Sequence, residues 1–456
     1  MDKVDVFVIG GGGTGSDVTY ALAGAGLRVA MAERERLGGE CAHFGCDPTK
    51  AMLKSARVAA LARRAAEFGI RVPTVDVDLE AVMRRVRRLV DEETAEGAAM
   101  FERRGAIVVR QAAKLTGPHT AELADGTTVE AARIVLATGS RPAVPPIDGL
   151  AAGGYWTNRE AIWHGGGVPG SLAILGAGAI GVEFAQIYSR FGSRVTVVEA
   201  LDRVLPLEDA DSSAAIREEL EGEGIEIHTG ARVIVAERRG EAWRLRLEGA
   251  GERAIEADRL LVATGRTPNL DEHDLDAAGV RLDDRGRPVL SDTLRTTAAS
   301  VWAGGDVTGD MPFTHVGGYE AEVIVADILG HPFPADYRVV PRVTYCDPEV
   351  ASVGLTEEQA RASGAPVSVG LARFGEGTRS FLEGEQHGHV KIVGDAADGQ
   401  ILGGHIVGET AGELLGEVVA AMAGRVPAGV IGRAIHPYPT RSETVRAAMR
   451  EAAGEG

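Results

Sequence analysis

Cys41, His43 and Cys46 fall within the stretch GGECAHFGCDPTK, and the only other cysteine, Cys346, lies far along the chain. Two thiols so close together could hold a metal, staple a loop or carry electrons. A thiolate is a metal ligand, a nucleophile and one half of a redox couple. The C-x-H-x2-C pattern offers three ligands, whereas structural zinc takes four, commonly as two separated pairs, and no second pair exists. No metal site is therefore expected. Three cysteines do not make a secreted disulfide framework either, so the reducing cytoplasm is the expected compartment. Asp47-Pro48 reads as an N-cap and first helical position, which sets Cys46 just before the positive end of a helix and favours its thiolate. Cys346, in VTYCDPE, reads as a buried structural thiol on a strand-like segment.

The elements that must position these residues announce themselves as a repeat. VFVIGGGGTG is an apolar strand running into G-x-G-x-x-G at Gly10, Gly12 and Gly15, followed by a helical stretch and a second strand that ends at Glu33. LAILGAGAIG repeats the design at Gly176, Gly178 and Gly181, and SRVTVVE ends at Glu199; each step from first glycine to acid is the same 23 residues (10 to 33, 176 to 199). Glycines in this arrangement let a backbone turn tightly and approach a pyrophosphate at a helix N-terminus, and the terminal acid accepts hydrogen bonds from an adenosine ribose. Each copy is followed by an apolar strand ending in Ala-Thr-Gly, at Thr138-Gly139 and at Thr264-Gly265. Two dinucleotide sites in one chain imply two cofactors that exchange electrons. Glu199 repels a 2′-phosphate and favours NADH over NADPH, with Arg203 the one opposing signal.

The bulk of the chain fits this picture. At 456 residues it exceeds a single core, and 45% hydrophobic with 25% charged residues is the balance of a soluble globular protein. A net charge of −18 argues against a nucleic-acid partner. The basic run RRVRR at 84–88 rides on an amphipathic helical pattern of Leu79, Val82, Met83, Val86, Leu89 and Val90, a solvated face over an apolar stripe. No apolar run reaches the length of a membrane span and no signal peptide is visible, so no membrane partner is expected.

Taken in order, GGGGTG, Glu33, GGECAHFGCDPTK, ATGS, GAGAIGVEFA, ATGRTPN, WAGGDVTG, VPRVTYCDPEVASVGLTE and HPYPTRSE resemble the FAD-dependent pyridine nucleotide–disulfide oxidoreductases over essentially the full chain. The resemblance implies an α/β protein with two Rossmann-like dinucleotide-binding domains, for FAD and NAD, plus a C-terminal α+β dimerisation domain. It divides the chain into an FAD domain at 1–150 resumed at 271–335, an NAD domain at 151–270 and an interface domain at 336–456. It further implies a homodimer, a flavin ribityl contact at Asp306, Lys50 beside the flavin and paired with Glu183, and a redox route from NADH through FAD to a Cys41–Cys46 disulfide. Cys46 would then face the flavin and Cys41 the acceptor, a disulfide or other thiol-reactive small molecule.

One segment departs from the family. Its acid–base histidine, in H-P-T, is followed by a glutamate five residues on; here Tyr438 takes the histidine position before Pro439-Thr440, with Glu443 in place and His436 two residues earlier. A phenol near pKa 10 exchanges protons poorly at neutral pH. Dihydrolipoyl dehydrogenase thus stands as an alternative, as does a mercuric or metal-ion reductase, although the chain ends REAAGEG without a terminal cysteine pair. A non-catalytic flavin and thiol redox sensor is the alternative from another class. His43, between the cysteines, is expected either to stabilise the Cys41 thiolate and supply a local proton or to be an ordinary loop histidine. Asp47 is the N-cap first and a charge tuning Cys46 second.

Overall fold

The computed structural model describes residues 3–249 and 253–455. They form two compact units, one built from 3–51, 83–143 and 265–336, the other from 52–82, 144–249, 253–264 and 337–455.

In the first unit, the run VDVFVI is apolar at nearly every position because both faces of its strand are covered, as in parallel sheets. Phe7 and Ile9 enter the core on one face and Val6 and Val8 the core on the other. This strand, Val4–Ile9, pairs in parallel with Val29–Ala32 on one side and Thr128–Leu136 on the other. Ile107–Val109 extends the first side, and Val301–Ala303 joins Thr128–Leu136 in parallel. The strand order reverses between Val4–Ile9 and Thr128–Leu136, which opens a crevice at their C-terminal ends where open α/β sheets take ligands.

The second unit repeats this core. Ser171–Leu175 lies between Arg194–Val198 and Arg259–Val262, all parallel, with Glu226–His228 at the edge. The reversal again falls beside the glycine-bearing strand. A three-stranded antiparallel sheet, Arg232–Arg239, Ala242–Glu248 and Arg253–Ala257, buries Trp243 and Leu245 against the parallel strands. The C-terminal residues form a five-stranded antiparallel sheet whose central strands, Ile401–Gly408 and His389–Asp395, bury Ile406 and Ile392 against the helices Ala411–Ala423 and Ser442–Ala452. The fold is therefore mixed α/β with a C-terminal α+β portion.

RRVRR lies on the helix Leu79–Glu93, whose Leu79, Val86 and Val90 are buried. Among the described residues, no helix is long and apolar enough to cross a membrane.

Candidate active site

The two glycine turns are alike atom by atom. Gly10 and Gly176 turn with φ of 105° and 100°, a region that glycine alone enters without strain, and a Cβ on either would strike the carbonyl of Ala137 or Ala263. A Cβ on Gly15 or Gly181 would collide with the carbonyl of Gly10 or Gly176. At the middle glycines, Gly12 and Gly178, a Cβ would meet no described atom within 4 Å. These two residues cap the helices Gly13–Gly24 and Ala179–Phe191, and neither helix has a side-chain cap. An open approach onto helix N–H groups suits a pyrophosphate. Glu33 accepts the N–H of Gly11 and of Glu35, each at 2.7 Å; Glu199, buried, accepts those of Ala177 at 2.7 Å and Leu201 at 2.8 Å. The residues present thus fit two dinucleotides.

The segments that follow the two Ala-Thr-Gly turns meet in the first unit. Ser140–Pro142 and Arg266–Pro268, the strands that follow Gly139 and Gly265, pair antiparallel. Thr138 Oγ1 donates to the Asn269 carbonyl at 2.8 Å, and Asn269 Nδ2 donates back to the Thr138 carbonyl at 2.9 Å. Ser140 Oγ donates to Asp306 at 2.5 Å, and Arg266 Nε donates to the same hydroxyl at 2.7 Å while lying 3.7 Å from Asp306; Arg266 Nη2 lies 3.6 Å from Glu40. Asp306 therefore stands at the C-terminal end of Val301–Ala303, held by a serine and an arginine that sequence reasoning passed over. Both sat in the quoted motifs, immediately after each Ala-Thr-Gly.

Cys41 lies on the short helix Gly39–Phe44 and Cys46 opens the helix Cys46–Arg63. The helix thus starts two residues earlier than the sequence indicated. Gly45 supplies the first accepting carbonyl, taking the Thr49 N–H at 3.2 Å and its hydroxyl at 2.7 Å, so Asp47 lies inside the first turn and is not the N-cap. Burial and the nearby Glu93 raise the Asp47 carboxyl above its ordinary value. Both cysteines are free, half-buried thiols. The Thr314 hydroxyl donates to Cys41 Sγ at 3.1 Å and stands 3.7 Å from Cys46 Sγ. A hydrogen bond from Cys41, helped by the Lys50 ammonium, lowers the Cys46 thiol to about 6, whereas donating that bond to Cys46 and burial push Cys41 up. Thr314, the first residue of the helix Thr314–Leu329, carried no signal in the sequence, because nothing local connects it with a loop so far upstream.

His43 is buried, and its Nε2 lies 2.8 Å from the Leu37 carbonyl; since a carbonyl only accepts, the ring donates from Nε2. Lys50 Nζ lies 3.5 Å from the Thr49 hydroxyl. In the second unit, Glu183 is buried on its helix and accepts the Tyr345 N–H at 3.0 Å. Cys346 is buried as expected, with its thiol raised by burial and by Glu183, but it sits in the turn between Pro341–Thr344 and Glu349–Gly354, not on a strand. Tyr438 is 72% exposed. Glu443 accepts the Thr440 N–H at 3.2 Å, and His436 Nε2 is 2.8 Å from Glu417, a partner on Ala411–Ala423 that the sequence did not suggest. Among the described residues no group of three or more His, Cys, Asp or Glu could hold a metal ion.

Residues 4–321 match the family model for pyridine nucleotide-disulphide oxidoreductases, and residues 340–449 match the dimerisation domain of the same family. The chain belongs to that family. It is 40% identical to the dihydrolipoyl dehydrogenase of Chlorobaculum tepidum, over 99% of this chain and 97% of that protein. It is 32% identical to a mercuric reductase of Bacillus cereus, over 98% of this chain and 71% of that one. It is also similar to the structure described as the Cu(II) complex of the HOCl-induced flavoprotein disulfide reductase RclA from Escherichia coli, with a TM-score of 0.87 and 28% identity over 97% of this chain and 98% of that one. This oxidoreductase is accordingly an enzyme of a family that uses FAD and NAD(P)H, and it carries a dimerisation domain.

Proposed function

We propose that this oxidoreductase is an NADH-dependent FAD flavoprotein reductase. It passes an electron pair to Cys41 and Cys46 and on to a disulfide or another thiol-reactive acceptor. The observation that carries this reading is the thiol pair itself: a half-buried Cys46 lowered to about 6, hydrogen-bonded by Cys41, with Thr314 donating to Cys41.

At neutral pH Cys46 holds negative charge and Cys41 holds the proton. With a disulfide acceptor, the Cys41 sulfur attacks one acceptor sulfur, a mixed disulfide forms and the other acceptor sulfur leaves as a thiolate. The Cys46 thiolate then attacks Cys41, closing the Cys41–Cys46 bond and expelling the second thiolate. The Cys41 proton passes to Cys46 as Cys41 attacks and from there to the first leaving thiolate, which restores the Cys46 thiolate, and the second leaving thiolate takes a proton from solvent. The cofactors, when bound, supply the electron pair that reopens the disulfide.

In the first unit, Gly10, Gly12, Gly15, Glu33, Thr138, Gly139, Gly265 and Asp306 hold the FAD. Gly176, Gly178, Gly181 and Glu199 hold the NADH, and Glu199 selects it by refusing a 2′-phosphate. Lys50 and Glu183 keep the flavin-side role that the resemblance implies. The working form is a cytoplasmic homodimer, in which Tyr438 and Glu443 of the partner chain position the acceptor and do not take its protons.

A thiophilic metal ion is the second reading of the acceptor, favoured by the Cu(II) complex of RclA. Here the ion is substrate at two thiolates. An acceptor screen with NADH tests both readings: lipoamide, glutathione disulfide, other small disulfides, Hg(II), Cu(II), quinones and O2. Turnover with a disulfide supports the first reading, turnover with a metal ion alone the second, and a single stoichiometric reduction with no turnover points to a sensor.

A further inference from the structure

Hydrogen bonds at the thiol pair run in one direction. The Thr314 hydroxyl, with a single proton, donates to Cys41 at 3.1 Å and stands 3.7 Å from Cys46. The Cys41 S–H in turn donates to Cys46. Thr314 is the first residue of the 16-residue helix Thr314–Leu329, whose preceding Phe313 makes no side-chain cap, and the peptide dipoles of that helix point their positive end at the same place.

We propose that Thr314 is the positioning residue that makes Cys41 a usable nucleophile, by holding its hydroxyl proton on the Cys41 sulfur. The proposal rests on the reading above, in which Cys41 faces the acceptor. When the Cys41 proton moves to the Cys46 thiolate, the negative charge arrives on Cys41. The thiolate then accepts the Thr314 O–H as a charge-assisted hydrogen bond, which is stronger than the one it accepted as a thiol. One S–H bond breaks at Cys41 and one forms at Cys46; no proton enters or leaves. Of the charged groups beside the pair, Asp47 disfavours both thiolates and Lys50 favours that of Cys46. The Thr314 hydroxyl favours both thiolates, and its shorter contact, with its proton, falls on Cys41. With a tyrosine at 438 in the usual histidine position, the stabilisation comes from within the thiol loop's own surroundings.

The test measures carbamidomethylation rates of the holoenzyme at Cys41 and Cys46, resolved by peptide mass, after reduction with NADH and, separately, with dithiothreitol. Thr314→Val is expected to slow Cys41 labelling about tenfold and Cys46 labelling much less, with Thr314→Ser restoring the wild-type rate. Unchanged Cys41 labelling in Thr314→Val would overturn the proposal, as would equal slowing at both sulfurs or a serine variant no faster than valine. Thiols that label after dithiothreitol but not after NADH would contradict the electron route instead, and the dithiothreitol arm would still decide the role of Thr314.

Discussion

Glu199 accepts the N–H of Ala177 at 2.7 Å, the same bond at the same distance that Glu33 accepts from Gly11. In both copies a hydrogen bond ties the acid to the residue after the first glycine of the turn. The duplication therefore extends beyond the glycines to the hydrogen bond that holds the terminal acid. Glu199→Gln keeps an acceptor oxygen but removes the charge. It is expected to raise KM for NADH severalfold with kcat little changed, and to narrow the NADH-over-NADPH preference about tenfold, the equivalent of ~1.4 kcal/mol. Steady-state kinetics with both nucleotides measures this; an unchanged ratio would remove Glu199 from nucleotide selection.

The two glycine turns predict separable defects. Gly15→Ala drives a methyl into the Gly10 carbonyl and is expected to give protein lacking most of its flavin, read as the visible absorbance per chain. Gly181→Ala makes the matching collision with Gly176 and is expected to retain flavin but to lose reduction by NADH. Full flavin in the first variant, or normal NADH reduction in the second, would mean that the cofactors are assigned to the wrong turns.

Cys46 sits at about 6, below the ordinary thiol value of about 8.5, because Cys41 donates to it and Lys50 faces it. A lowered value means thiolate above that pH and thiol below it. The Cys46 labelling rate in reduced enzyme should therefore rise with a midpoint near pH 6. Removing the donor in Cys41→Ala should move the midpoint upward by about one unit or more. An unshifted midpoint in that variant would leave the helix start, Lys50 and Thr314 as the cause.

The chain-level plan was legible in the residues because it is written locally. A glycine turn, its strands and its acid lie within one short run, and their side chains dictate backbone geometry directly. The cysteine pair was legible for the same reason. The start of its helix was not: Asp-Pro is a strong N-cap signal, yet Gly45 offers its carbonyl two residues earlier and the helix takes in Cys46 and Asp47. Cys346 shows the reverse error, since a β-branched and aromatic neighbourhood reads as strand while Asp347-Pro348 bends the chain into a turn. Thr314, the Arg266–Ser140–Asp306 group and His436–Glu417 were out of reach because each joins segments that only the folded chain brings together.

Long-range pairing also sets a stability prediction in the second unit. The buried Lys391 ammonium bonds Asp209 at 2.9 Å, Asp211 at 2.8 Å and Glu357 at 2.7 Å. Lys391→Met leaves these carboxylates without their cation and is expected to cost about 3–5 kcal/mol in urea unfolding. The acids raise the lysine, so its contribution is complete below its unfolded value and is lost only as pH rises through the higher folded one. Asp209 and Glu357 are lowered, so theirs is present above the unfolded carboxylate values and fades as pH falls through the folded ones. Wild type should therefore lose more stability than Lys391→Met on acidification below about pH 4. Equal acid sensitivity would show that the cluster is not the source.

Everything proposed for the chemistry depends on electrons leaving through Cys41 and Cys46. The most direct measurement is NADH oxidation by the flavin-loaded enzyme, with the best acceptor from the screen, in wild type, Cys41→Ser and Cys46→Ser. Both substitutions are expected to abolish acceptor reduction. Cys41→Ser should still develop a long-wavelength flavin–thiolate absorbance on reduction and Cys46→Ser should not. Acceptor reduction that survives in both variants would contradict the account, because the flavin would then be delivering its electrons without the thiols.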